Sequence, residues 1–171
     1  MKKLLLFGLI LSMLAGCNQP AKKQISSLPS DKFDTSIANK SKNVLTFDLT
    51  ADELKDDSVF VDGSEATDWG TAGFTDVKGF KVFLKQLQLL VMDNNKIGLS
   101  KLIKYPLHNT IKTEKEFIEQ YDTIFTKDVK LEVAKINFSQ IQRNYRGAMT
   151  ELGRVWFAQE EAQFKIIAVN F

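Results

Sequence analysis

Apolar and polar positions along this chain recur with more than one period, and each change of period marks an element. Val44 to Thr50 alternates strictly, with Leu45, Phe47 and Leu49 on one face, as a half-buried strand does. It is either the first strand of the folded part or a short peptide lying against it. From Val77 the period lengthens. Val77, Phe80, Leu84, Leu87 and Val91 fall on one stripe, widened by Phe83 and Leu90, which predicts an amphipathic helix of about four turns. Thr75 or Asp76 is its N-cap, and Asp93-Asn94-Asn95 ends it. A shorter helix carries Ile97, Leu99, Leu102 and Ile103 and stops before Tyr105-Pro106, because a residue preceding proline avoids the α region. Thr113 and Glu116 have the form of a capping box, opening a helix that buries Phe117, Ile118, Tyr121 and Phe125. Thr126 opens a further segment to Ile136. Val129 and Val133 suit a helix there, while Val129, Leu131 and Val133 also alternate, so period alone leaves helix and strand open.

The last part of the chain has strand character. Arg146–Thr150, Arg154–Ala158 and Phe164–Val169 are separated by breaks of hairpin length. Val155, Phe157, Phe164, Ile166 and Ala168 are expected on the buried face, with Trp156 on the other. Helices followed by an antiparallel meander make an α+β fold, with N-terminal helices packed on a curved C-terminal sheet.

The first residues follow a different logic. Lys2 and Lys3 precede the nearly unbroken apolar run Leu4–Leu14, and Leu14-Ala15-Gly16-Cys17 closes it. A positive start, a short apolar run and small residues before a cleavage point make residues 1–16 a secretory signal peptide. The run is far shorter than the roughly 20 residues a spanning helix needs. Leu-Ala-Gly-Cys resembles the bacterial lipobox, which implies that Cys17 becomes the acylated N-terminus and the membrane anchor. Asn18, in place of Asp, resembles the outer-membrane-directed members of that class if the host is Gram-negative. The location implied is the cell envelope, facing the periplasm. Residues 18–43 are rich in Ser, Lys, Asn, Gln and Pro and cannot bury enough surface to offset chain entropy, so they are expected to form a tether. The division is thus 1–16 leader, 17–43 acylated cysteine and tether, and 44–171 one folded domain.

Charge changes the picture in two places. The chain has 23 Lys+Arg and 21 Asp+Glu; Lys2 and Lys3 leave with the leader, so the mature protein is close to neutral. Its arginines are Arg143, Arg146 and Arg154, with no basic run, which gives nucleic acid no electrostatic footprint. Acids crowd between Asp48 and Asp76 with Lys55 as their single lysine, while Val77–Lys104 is rich in lysine. The acidic stretch is therefore expected to dock on the helical one. A calcium loop across Asp57–Glu65 is the sharper reading of those acids, but Ser58, Val59 and Phe60 stand where oxygen ligands are needed, which leaves a solvated loop.

Cys17 is the only cysteine, so a cysteine zinc site, a thiol nucleophile and a CxxC pair are excluded. No phosphate loop, G-x-S-x-G or HExxH is present, and no cofactor is implied. His108, the only histidine, is either a general base or a turn residue after Pro106. Glu160 and Glu161 are expected to be solvated, and the Asn137-Phe138-Ser139 sequon has no expected meaning in a bacterial lipoprotein.

Paired helices, the Tyr105-Pro106-Leu107 turn, Glu116-Phe117-Ile118 with Tyr121-Asp122, and Gly153-Arg154-Val155-Trp156-Phe157 before Ile166-Ile167-Ala168-Val169-Asn170 together resemble the NTF2-like, or cystatin-like cone, family of domains. They also resemble uncharacterised bacterial lipoproteins with a Tyr-Pro turn. The resemblance covers about residues 77–171 and implies a curved sheet around a helix with a pocket inside. It does not select an activity, since such domains host both enzymes and binders. Tyr105, Tyr121, Tyr145 and Trp156 are candidate pocket walls, with Arg143 and Arg146 as donors to a carboxylate or phosphate. The bland alternative is core-edge aromatics and exposed arginines.

These observations favour a lipid-anchored, non-enzymatic binder of a protein or small envelope ligand. An inhibitor or immunity protein against a wall-directed enzyme or toxin, and an enzyme using the cone with His108 or an acid as base, are the alternatives. Oligomeric state is left open.

Overall fold

A computed structural model describes residues 47–170; the leader, Cys17, the tether and Val44–Thr46 lie outside the described residues. Val44–Phe171 forms one compact unit. Among the described residues, six short to medium helices precede an antiparallel sheet: α1 Ala51–Leu54, α2 Val77–Met92, α3 Lys96–Ser100, α4 Glu114–Glu119, α5 Tyr121–Ile124 and α6 Lys127–Ala134. A 3-10 turn at Phe138–Gln140 leads into β1 Gln142–Asn144, β2 Gly147–Met149, β3 Val155–Glu160 and β4 Gln163–Val169, in the order β1-β2-β3-β4. The fold is α+β, with helices before and packed on a C-terminal antiparallel sheet.

Caps set most helix ends. Asp76 accepts from the Gly79 amide at 2.8 Å and starts α2. The end of α2 is a Schellman turn: Asn94 takes φ 51, its amide donates to the Val91 carbonyl, and the Asn95 amide donates to Leu90. Asn95 then caps α3 through the Gly98 amide at 2.8 Å. Thr126 caps α6, and Val129 and Val133 are fully buried beneath it. Gln88 from α2 also donates to the Val133 carbonyl at 3.2 Å. Cap and packing together decide the segment that period left open in favour of helix.

The core is aromatic between α2 and the sheet. Phe80 lies 5.5 Å from Phe157, Phe83 lies 6.0 Å from Phe157, and Phe74 stacks with Phe164 at 6.3 Å between ring centroids. Leu84, Leu87, Val155, Ile166 and Val169 complete it, all fully buried. Gln159 joins the sheet to the start of α2, accepting from the Thr75 amide at 2.8 Å and donating to the Thr75 hydroxyl.

The acidic stretch does dock on α2. Lys85 pairs with Glu53 at 2.8 Å and Lys81 with Asp56 at 3.0 Å. Lys81, only 1% exposed, also donates to the Lys55 carbonyl at 2.6 Å.

Several expectations are corrected. Of the two alternatives for the first segment, the strand is not formed over Phe47–Thr50, whereas Leu49 packs against the core as a docked peptide would, and Thr50 is the N-cap of α1 in a full capping box with Glu53. The second helix stops at Ser100, because the Leu102 carbonyl and Lys104 amide hydrogen-bond to Ile166 along the edge of β4. The helix from Thr113 breaks at Gln120 into α4 and α5. Strand β1 had no signal of its own. The pairing slips between Trp156↔Ala168 and Phe157↔Ile166, so Ile167 is an unpaired bulge residue. Ala168 consequently sits opposite Trp156 on the outer face, and Val169 takes the core position expected for Ala168.

Candidate functional site

Strand alternation sorts the candidate residues onto opposite sides of the sheet. Arg143, Ala148, Phe157 and Ile166 form one cross-strand row, and Gln142, Met149, Trp156 and Ala168 the next. The first row faces the core and the second faces out.

Arg143 therefore lies on the core side of the sheet, where it is buried. Its Nε donates to the Thr67 carbonyl at 2.7 Å, and its guanidinium lies 4.3 Å from the Trp69 ring centroid. Asp56 approaches its Nη1 at 3.6 Å. Burial lowers the guanidinium pKa, opposed by Asp56 and Asp68. Asp56 also accepts from Trp69 Nε1 at 3.0 Å, so this carboxylate gathers Lys81, Arg143 and Trp69 at one point. The arrangement fastens the acidic segment to the body.

Tyr121 is also interior. It is fully buried and stacked on Phe125 at 5.4 Å, and its Oη finds no hydrogen-bond partner among the described residues. Burial, then the nearby Asp122, pushes its phenol up to about 12. Lys96 and Lys130 lie 5.0 and 4.5 Å from its ring centroid. Both reach Asp122, at 2.7 and 3.0 Å, and hold its carboxyl below the ordinary value. Tyr105 is half-buried and donates to the Ser100 carbonyl at 3.0 Å; burial raises its pKa.

The remaining candidates gather on the outer face. Tyr145 and Arg146 form the tight turn between β1 and β2, with Asn144 Oδ1 accepting from the Arg146 amide at 2.8 Å. Gly147 follows at φ 132, where a Cβ would lie 2.3 Å from the Phe157 carbonyl oxygen, so glycine is required for the turn to close on β3. Arg146 Nε donates to Tyr145 Oη at 3.1 Å, and Tyr145 is 76% exposed. Arg146, Trp156, Ile167, Ala168 and Asn170 line a hollow of about 350 Å³. The Trp156 indole is held by its polar edge, Nε1 donating to the Gly153 carbonyl at 3.0 Å.

A second cavity, of about 500 Å³, was not anticipated. It lies between α6 and the β2–β3 turn, with Leu131, Ile136, Ile141 and Leu152 among its walls. Within it Glu132 is nearly buried, accepting from the Leu152 amide at 3.0 Å and lying 3.1 Å from Arg154 Nε. One signal existed in the sequence: with Val129 and Val133 turned inward on a helix, Leu131 must face out. Nothing local marked Glu132, whose partners come from a hairpin about twenty residues on.

His108 sits in a turn closed by Leu107 and Ile111, with His108 and Asn109 both at positive φ. Its Nε2 lies 2.6 Å from the Val169 carbonyl; a carbonyl only accepts, so this nitrogen donates. Asp57 is engaged by Ser139 and Gln140, and Asp62 by Ser64; these hydrogen bonds lower both carboxyls. Among the described residues no group of three His, Cys, Asp or Glu is placed to hold a metal ion. No helix among them is long and apolar enough to cross a membrane. Comparison with protein-family models, curated proteins and solved structures finds no match for the chain.

Proposed function

We propose that this protein is a bacterial envelope lipoprotein, acylated at Cys17 and directed to the outer membrane, whose NTF2-like domain binds an envelope ligand without transforming it. The observation that carries the binding reading is the convergence of Tyr145, Arg146 and Trp156 on one exposed surface. An arginine held beside aromatic rings at an open hollow suits recognition of an oxyanion. The leader and lipobox support the anchor, and the run of helices before an antiparallel meander supports the NTF2-like kinship.

Two measurements test this reading. Labelling with a fatty-acid analogue should mark the wild type and spare Cys17→Ser; equal label in both refutes the anchor. In capture from envelope extract, Arg146→Ala should lose the ligand while His108→Ala keeps it. Loss of cellular function in His108→Ala alone, with capture intact in both variants, would make the protein an enzyme instead.

A further inference from the structure

We infer that the hollow beside Trp156 is a subsite for a carboxylate-bearing sugar, with the ring on the indole, the carboxylate on Arg146 and a hydroxyl or amide N–H on Asn170. The assignment rests on the binding reading above and narrows its ligand to a chemical class.

Each contact follows from what the lining groups have left to offer. The indole N–H is used internally, on the Gly153 carbonyl, so Trp156 presents an apolar ring with no donor of its own. Ile167, outward by alternation, and Ala168, turned outward by the bulge, extend that apolar floor. A ligand lying here must have an apolar face. Among the described residues Arg146 is the only charged one lining the hollow, and no acid lines it with Arg146. Its Nε is occupied by Tyr145 Oη at 3.1 Å, which leaves the terminal Nη pair as parallel donors matched to a carboxylate. Asn170 Nδ2 donates to the Gly153 carbonyl at 2.8 Å, which leaves its second N–H as a donor and Oδ1 as an acceptor. A ligand with a peripheral hydroxyl or amide N–H engages that acceptor, which a ligand without one leaves to water.

The three requirements select among anions. A fatty acid has a carboxylate but no donor for Asn170 Oδ1. A flat aromatic acid meets the ring and charge requirements and also lacks the donor. A nucleotide presents more negative charge than one arginine matches. A pyranose acid has an apolar ring face, peripheral donors and a single carboxylate. The site is also organised in advance. Trp156 and Asn170 are both fixed on the Gly153 carbonyl, and Arg146 on Tyr145, so little ordering accompanies binding.

The experiment is titration of the mature full-length protein with matched pairs, followed by tryptophan fluorescence and calorimetry. Glucuronate against glucose probes the uronic acid of a polysaccharide. N-acetylmuramate against N-acetylglucosamine probes the acid of a wall glycan. In at least one pair the acid should bind about tenfold or more tightly than its neutral partner, from a charge-assisted bidentate contact. The preferred pair identifies the source. Arg146→Ala should erase the difference within the pair, and Asn170→Ala should weaken both members. Trp156→Phe should abolish the fluorescence change while calorimetry still reports heat. Arg146 is exposed, so its loss leaves the fold intact. No binding of any of these sugars, or equal binding of acid and neutral forms, overturns the assignment. Benzoate binding as tightly as the sugar acids overturns it in favour of a plain ring carboxylate. If the sugars fail while Arg146→Ala still abolishes capture from envelope extract, the ligand class is wrong and the binding surface stands. If Arg146→Ala changes neither, the surface itself is wrong.

Discussion

Replacing Asp56 by Asn would strip the carboxylate that pairs with two cations that are almost wholly buried. The Lys81 and Arg143 side chains are 1% and 4% exposed, and the Asp56 carboxylate is 31% exposed. It lies 3.0 Å from Lys81 Nζ and 3.6 Å from Arg143 Nη1, and it accepts from Trp69 Nε1 at 3.0 Å. Asparagine keeps the size and one acceptor but removes the ion-pair partner of both interior cations, leaving the weaker influence of Asp57 on Lys81 and of Asp68 on Arg143. Breaking a fully buried pair costs about 3–5 kcal/mol, and an exposed pair about 0–1 kcal/mol. Because water reaches one side of this carboxylate, while the Lys55 and Thr67 carbonyls still hold the cations, the expected loss is about 2–4 kcal/mol. Urea unfolding of the domain followed by far-UV circular dichroism measures it. Lys81→Met, which keeps the aliphatic stem and removes the charge, should cost less, since Asp56 retains Arg143 and Trp69. The double variant should be clearly less destabilised than the sum of the single ones, as expected for groups in contact. A shift below about 1 kcal/mol for Asp56→Asn, or strict additivity, would refute the view that this cluster fastens the acidic segment to the body.

Further outcomes are expected. Leu87, fully buried in α2, should cost about 2–5 kcal/mol on truncation to Ala, read from the urea midpoint. Gly147→Ala should destabilise by more than about 1 kcal/mol in the same assay, because φ 132 and a Cβ 2.3 Å from the Phe157 oxygen cannot both be kept. Tyr121→Phe should leave the midpoint unchanged or raise it, since it removes a buried hydroxyl without a partner among the described residues; a loss above about 1 kcal/mol would reveal one. Glu53 has its carboxyl lowered from the ordinary 4.5 by hydrogen bonds from Lys85 and then from the Thr50 amide. Its contribution is therefore present above pH 4.5 and lost as pH falls through the lowered folded value. Glu53→Gln should accordingly flatten part of the acid limb of the urea midpoint, and an unchanged limb would contradict that pairing.

Local rules carried much of this fold. The stripe of Phe80, Leu84, Leu87 and Val91, the caps at Asp76, Thr113 and Thr126, and the hairpins of β2 to β4 are legible because period and capping act over a few residues. The helices-then-meander order followed from them. The acidic stretch and the lysines of α2 also announced their pairing, since opposite charge on neighbouring segments is a property of composition. Tertiary structure decided the rest, because it depends on partners remote in sequence. Arg143 and Arg146 are three positions apart and of one type, yet one lies in the interior row beside Phe157 and the other in a turn at the outer face. Which side is interior is set by what packs on the sheet. The bulge at Ile167 is invisible in a regular alternation and moves every later side chain to the opposite face, placing Val169 inside and Ala168 beside Trp156. Glu132 reads as a surface acid on α6 until the β2–β3 turn closes over it and supplies the Leu152 amide and Arg154. A side chain's period tells how often it faces a given way, and only the packed neighbour determines what it faces.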